Sequence, residues 1–321
     1  MSISINQAFG RILAAYRKLE GLSQEDFEGA AHRTYVSDLE RGLKSPTLET
    51  IAKLAAKLKV HPTELVARTL ALLETGQEEF AASSVSYLRN TSANADFSYM
   101  ATGRRFTAEE VEQAVALTNI TIVTLTLIFR QVSGADLFEV IDKKQTGAFI
   151  GSIFVSNFAT IAASHLAKNP SQTGHPDLIP KEYLNDESIA NWDRFSHGGV
   201  EVKTSCGSLR QGVAQSLAIG ETRLPHLSGV EWKGHHQEIN YLLGLFWDYF
   251  EDNPTILAAF YSNRLVPDDF TYTIPKKGGG RTTSVCVTKA SARKKLMRNW
   301  VLLPNIAGYQ DFFKKLGATI D

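Results

Sequence analysis

The spacing of apolar residues changes character along this chain, and that change limits the folds open to it. Up to about Lys168 helical spacing dominates, outside residues 81–105; from His175 onward short strand-like runs and turns take over, with two helical stretches near the end. Helices first and a mixture of strands later predict an α/β (α+β) domain with a mixed central sheet, preceded by an all-α domain. At 321 residues there is room for about two domains. Residues 1–73 read as the helical domain, 74–105 as a linker, and 106–321 as the larger domain. The linker reading rests on residues 81–105, where periodicity is lost and Ser, Ala, Asn and Thr accumulate.

Within the first domain, residues 6–19 carry Phe9, Leu13 and Tyr16 at helical spacing and stop at Gly21. Ser23 reads as the cap of a second helix, with Gln24, Glu25 and Asp26 in its first turn. Thr34 reads as the cap of a third over 35–41, ended by Gly42. Ser45-Pro46-Thr47 opens a fourth with Leu48, Ile51, Leu54, Ala55 and Leu58, and His61-Pro62-Thr63 a fifth. In the second domain Thr107 and Glu110 form a capping-box pattern, and helices are expected to about Lys168. Residues 199–205 alternate like a strand. Residues 241–250 and 255–265 read as a hairpin across Glu251-Asp252-Asn253-Pro254, and 271–274 and 283–288 as short strands. Helices are expected over 291–300 and 309–316, and Trp232, Trp247 and Tyr249 as core.

Basic and acidic residues balance at 34 each, so a nucleic-acid partner requires positive charge that is local. Cys206 and Cys286 are the only cysteines, too few for a zinc set or a disulfide framework, and read as reduced thiols in a cytoplasmic protein. The N-terminus lacks the pattern of a signal peptide. The most apolar run, 114–132, is interrupted by Thr118, Asn119, Thr121, Thr124, Thr126 and Arg130, and reads as core rather than membrane span.

A helix opening with polar Thr34, Tyr35, Ser37 and Asp38 suits a DNA major groove. The stretch from Leu22-Ser23-Gln24 through His32-Arg33-Thr34-Tyr35-Val36-Ser37-Asp38-Leu39-Glu40-Arg41-Gly42 to Pro46 and Leu48 resembles the Xre/Cro-type helix-turn-helix family, especially controllers beside restriction-modification genes. The resemblance covers residues 5–66. It implies DNA contacts from Gln24, Arg33, Thr34, Tyr35, Ser37 and Asp38, with Gln24 on a phosphate, and an Arg17–Glu40 pair joining the first helix to the end of the recognition helix. Between Gln24 and His32 the chain is about two residues shorter than the family pattern.

His175-Pro176-Asp177 is followed, after 23 residues, by Glu201-Val202-Lys203. Residues two apart on a strand share a face, roughly 6.6 Å apart, so Glu201 and Lys203 project together and Val202 turns into the core. Asp177, from a neighbouring segment, completes a carboxylate pair. Asp177, Glu201 and the Val202 carbonyl make a hard oxygen site for Mg²⁺, with Lys203 beside the attacking water. This pattern resembles the PD-(D/E)XK nucleases. A wider resemblance to ScaI-like restriction endonucleases rests on Gly199–Gly207, Trp232–His236, Leu242–Asp248, Phe260–Ser262 and Gly278–Ser284. It implies a restriction-endonuclease-like catalytic domain, a Mg²⁺-dependent type II enzyme cutting double-stranded DNA as a homodimer, and a cognate DNA methyltransferase as genetic partner. Unlike many members, the chain has no acidic residue between Asp142 and Asp177; Glu139 is the nearest.

Lys276, Lys277 and Arg281 around three glycines suggest a basic loop able to approach DNA. Arg293, Lys294, Lys295 and Arg298 form a basic helix face. His235 and His236 with Glu238 are a poor joint metal site, because adjacent side chains diverge. The competing readings are a transcriptional controller with an inactive nuclease-like domain and a DNA repair nuclease of the same superfamily.

Overall fold

A computed structural model describes residues 3–58, 60, 62–75, 85–90, 97–213, 220–234, 237–274 and 285–320. The chain divides into two compact units, Met1–Ser84 with Ile120–Val140, and Val85–Asn119 with Ile141–Asp321. Lys276, Lys277, Arg281, His235 and His236 lie outside the described residues.

In the first unit, α1 (Ile5–Leu19) starts with a capping box between Ser4 and Gln7. A three-residue 3-10 turn, Glu25–Phe27, follows where a helix is expected. Asp26 turns back to accept from both the N–H and the hydroxyl of Ser23, and Gly29 then breaks the chain direction at φ +87°. The short segment thus closes before a helix can propagate. Next come α2 (Arg33–Glu40), α3 (Leu48–Lys57) and α4 (Pro62–Thr75). His32, not Thr34, caps α2, its ring nitrogen accepting from the Thr34 N–H at 3.3 Å. Phe9, Leu13, Phe27, Val36, Leu54 and Leu65 build the core. Gly10 lets α1 and α2 touch: a Cβ there would lie 2.3 Å from the Leu39 carbonyl oxygen.

The second unit contains a five-stranded mixed sheet. Its order is β1 (Tyr87–Arg89), β12 (Trp300–Pro304), β9 (Asn253–Ser262), β8 (Leu242–Phe250) and β4 (Glu201–Ser205). Only β4 and β8 run parallel; the other neighbours are antiparallel. The expected hairpin is β8–β9, turning at Glu251 and Asp252, both at positive φ. Strand β1 lies in the span read as linker. That span could not register as strand from sequence, because three residues of an edge strand carry almost no periodic signal.

Two long helices, α5 (Ala108–Ser133) and α7 (Lys143–Ile161), follow β1, with the single turn α6 (Leu137–Val140) between them. Helix α5 passes the length and hydropathy test for a membrane span. Yet Val111, Ala114, Val115, Ile122 and Leu127 are buried in the protein, and Thr118, Thr124 and Thr126 bond to carbonyls of their own helix. It is a core helix. Helicity ends earlier than expected, since Leu166–Lys168 is a strand (β2) paired with β3 (Leu178–Pro180). Helix α7 lies on one sheet face, where the Thr204 hydroxyl donates to the Gly147 carbonyl at 2.8 Å. On the other face Phe246 meets Tyr309, Phe312 and Phe313 of α9 (Ala307–Lys315), and α8 (Ala290–Arg298) packs on β9. The small strands β5 (Ser208–Leu209), β6 (Leu227–Gly229), β7 (Lys233–Gly234), β10 (Phe270–Thr273) and β11 (Val285–Thr288) form two separate ribbons. Trp232 and Trp247 are core, as expected.

Candidate functional site

Two clusters of charged side chains follow from these elements, one in each unit. In the first, Arg17 on α1 meets Glu40 at the end of α2: Nε lies 2.6 Å from Oε1 and Nη2 3.1 Å from Oε2. Its Nη1 donates to the Leu22 carbonyl, and the Gln24 amide donates to Glu40 at 2.7 Å. The hydrogen bond from Arg17 to Glu40 outweighs burial and holds the guanidinium above its ordinary pKa. Gln24 thus braces the ion pair in the free chain.

Of the other expected groove residues, Arg33 and Thr34 are exposed on α2, while Tyr35 and Ser37 are partly covered. Arg33 reaches Glu25 at 3.1 Å, and the Tyr35 hydroxyl donates to the Ser45 carbonyl. Asp38 is committed to Arg41 (2.5 Å) and Lys44 (2.9 Å), which hold its carboxyl below its usual range.

The second cluster sits on β4. Glu201 and Lys203 project from one face, and the Lys203 ammonium lies 2.6 Å from Glu201 Oε1. Asp177 arrives immediately before β3, which is bridged to β4 through reciprocal backbone bonds between Leu178 and Val200. Its Oδ2 accepts from the Val202 N–H at 2.8 Å and lies 3.7 Å from the Lys203 ammonium. The three expected side chains meet. Glu201 is 2% exposed, Lys203 16% and Asp177 30% by side chain, so the group is buried at one end and open at the other. Burial opposes the charge on Lys203, but Glu201 and Asp177 outweigh it and hold its pKa above the ordinary value.

A pair of glycines makes this convergence possible. Gly199 has φ +115°, and a Cβ there would lie 2.4 Å from the Leu178 carbonyl oxygen and 2.5 Å from Pro176 Cγ. Gly198, at φ +103°, presses equally close to the Tyr99 carbonyl. Only a residue without a Cβ lets the His175-Pro176-Asp177 segment lie against the entry to β4. Because the Glu201 N–H bonds toward β8, through the Tyr241 carbonyl, the next residue's N–H and C=O face the outer edge. The Val202 carbonyl thus shares an edge with Asp177. Two carboxylates and this carbonyl are hard oxygen donors, the kind a divalent cation such as Mg²⁺ takes while keeping water in its other positions. Among the described residues no group of three or more His, Cys, Asp or Glu side chains converges, so a cation here would have few protein ligands.

Beside Glu201 opens a cavity of about 280 Å³, lined also by His175, Arg194, Ser196, Glu238 and Tyr241. Of these, Arg194, Ser196 and Tyr241 were not singled out in the sequence. Their signal was weak, since they flank the motif without belonging to it. Glu139 lies exposed on α6, in the first unit. On α8 the expected basic face is partly neutralised: Arg293 pairs with Glu231 at 2.9 Å and Lys295 with Asp269 at 2.6 Å. The buried Arg223–Asp248 pair, at 3.1 Å, was not anticipated. The Tyr309 hydroxyl also reaches Asp248, and the pair supports the sheet from within.

Comparison with known proteins agrees with the helical N-terminal domain. The helix-turn-helix family model HTH_3 matches residues 13–65. The control protein C.BamHI of Bacillus amyloliquefaciens is 38% identical over 69 residues, 21% of this chain and 85% of that protein. The uncharacterized HTH-type transcriptional regulator y4dJ of Sinorhizobium fredii (strain NBRC 101917 / NGR234) is 36% identical over 69 residues, 21% of this chain and 90% of that protein. Both similarities fall short of the mixed α/β region, which makes up most of the chain. Through its N-terminal domain, a double-stranded DNA-binding module, the chain belongs to the helix-turn-helix family that includes this control protein and this regulator.

Proposed function

We propose that the chain is a Mg²⁺-dependent, site-specific endodeoxyribonuclease of the type II restriction kind, cytoplasmic and dimeric, in which a helix-turn-helix domain supplements DNA binding. The observation that carries this reading is the meeting of Asp177 with Glu201 and Lys203 of β4, where Glu201 lines an open cavity. In the restriction-endonuclease-like domain so proposed, Asp177, Glu201 and the Val202 carbonyl would hold the cation. The bound cation would neutralise charge on the phosphate and lower the pKa of a coordinated water. Lys203 lies 2.6 Å from Glu201 and 3.7 Å from Asp177. Beside the attacking water it would steer that water or help to deprotonate it, and it would offset developing negative charge. Glu201, nearly sealed from solvent, keeps a fixed orientation, which limits the rearrangement needed during reaction. A dimer would present two such sites to the two strands of a twofold target.

A second reading has its own support: a transcriptional controller whose mixed α/β region does no chemistry. The similarity to a control protein and to a transcriptional regulator favours it, within the 69 residues that those proteins share with the chain. Incubating the purified chain with plasmid and phage DNA, in Mg²⁺ or in EDTA, separates the readings. Discrete fragments formed only with Mg²⁺ are expected, and their ends would define the target. Operator binding without cleavage would favour the controller, and structure-dependent or random nicking a repair nuclease. If the enzyme is of the restriction kind, a cognate methyltransferase gene is its expected genetic partner.

A further inference from the structure

We infer that Arg194 is a positioning residue that grips a DNA backbone phosphate neighbouring the one addressed by Glu201, Lys203 and Asp177; the inference rests on the catalytic reading of that site. The backbone places it there. The His175 N–H donates to the Asp193 carbonyl at 3.2 Å, and the Phe195 N–H to the His175 carbonyl at 3.0 Å. Arg194 is thereby paired, parallel-fashion, with the residue two before Asp177. Whatever holds Asp177 against β4 also holds Arg194 at the cavity rim.

The side chain has the freedom and the chemistry for the role. Its neighbour Phe195 is buried among the rings of Trp192, Tyr183 and His197, which anchors the segment and leaves residue 194 exposed. Arg17, Arg68, Arg89, Arg223 and Arg293 each pair with a carboxylate, whereas Arg194 forms no ion pair among the described residues. It shares the cavity with Glu201, and with the polar side chains of Ser196 and Asn240. Lys203 cannot serve a second phosphate, because its charge is already matched by two acids. A guanidinium presents a planar fork that matches a phosphate's oxygens, and a strand entering the cavity brings phosphates at every nucleotide. The occupant is therefore a nucleic-acid backbone, held by charge and not by base identity.

The test uses the full chain carrying Glu201→Gln to block cleavage, with and without Arg194→Ala or Arg194→Lys. Equilibrium binding to a labelled target duplex is followed across a range of KCl concentrations. Arg194→Ala is expected to weaken binding about five- to tenfold, and to make the dependence of log affinity on log salt shallower by about one. Arg194→Lys should restore the slope, which loss of a merely structural residue would not allow. In the chain with Glu201 intact, Arg194→Ala should raise the half-saturating DNA concentration by a similar factor and leave kcat within about twofold. An unchanged slope and half-saturation in Arg194→Ala would overturn the inference. Failure of the intact chain to cut DNA in Mg²⁺ would instead remove the catalytic reading, while the salt slope still decides whether Arg194 meets a phosphate.

Discussion

The two charge clusters, Arg17–Glu40 in the helical unit and Lys203 with Glu201 and Asp177 on the sheet, use similar groups under similar burial. In the first, Arg17 is 14% and Glu40 9% exposed, and the surrounding donors and acceptors, Gln24 and the Leu22 carbonyl, come from the same domain. The cluster ties α1 to the end of α2. In the second, two acids share one ammonium, and Glu201 also faces a cavity. A buried ion pair is a strut where protein closes every side, and a candidate reaction centre where one side stays open.

The sharpest way to break that comparison is a matched pair of changes. Glu201→Gln should lower DNA cleavage by about 10³-fold or more with target binding retained. Glu40→Gln should weaken target binding while the cleavage rate at saturating DNA stays unchanged. Gel assays of cleavage and mobility-shift titrations check both, and full activity in Glu201→Gln would dissolve the distinction. The next effect in size concerns the approach of the acids: Gly199→Ala, strained in φ and blocked by Pro176 and Leu178, should cost about 10²-fold in single-turnover cleavage. Thermal unfolding of that variant should report a loss of about 1–3 kcal/mol.

In the strut, Glu40→Ala strands a largely buried guanidinium. Urea unfolding should show about 2–4 kcal/mol of destabilisation in the helical unit. The smallest effect is the pH dependence contributed by Lys203. Its pKa is raised in the folded chain above the ordinary 10.5, so its stabilisation is complete below that value and is lost as pH rises through the folded pKa. Stability of the intact chain and of Lys203→Met, measured by urea titration, should therefore differ by a constant amount through neutral pH. The gap should narrow only above about pH 10.5.

Much of the helical unit was legible because its signals are local: caps, glycine stops and spacing of three or four residues. Where a local signal misled, a competing local bond won. Ser23 caps nothing beyond a single turn, because Asp26 reaches back to it and Gly29 ends the segment. On the sheet, the β8–β9 hairpin follows from two apolar runs joined by a turn sequence, and the shared face of Glu201 and Lys203 from alternation. What lay beyond the sequence is pairing at long range. Trp300–Pro304 follows a basic helix with no turn to announce it, yet forms an inner strand between β1 and β9. Arg194 reaches the cavity only because its backbone runs beside His175, a relation without any periodic trace. The acidic residue sought upstream of Asp177 is not replaced by any third carboxylate converging on the pair among the described residues.

The hydrogen bond from the Val202 N–H to Asp177 has a further consequence. Strand β4 is the last of its sheet, and such a border exposes backbone groups able to recruit a stranger's strand. The Asp177 carboxylate occupies one of those donors and sets a negative charge over it. A chain that loses this acid would lose a guard against self-association as well as a ligand, so its solubility at high concentration should fall even where its fold survives.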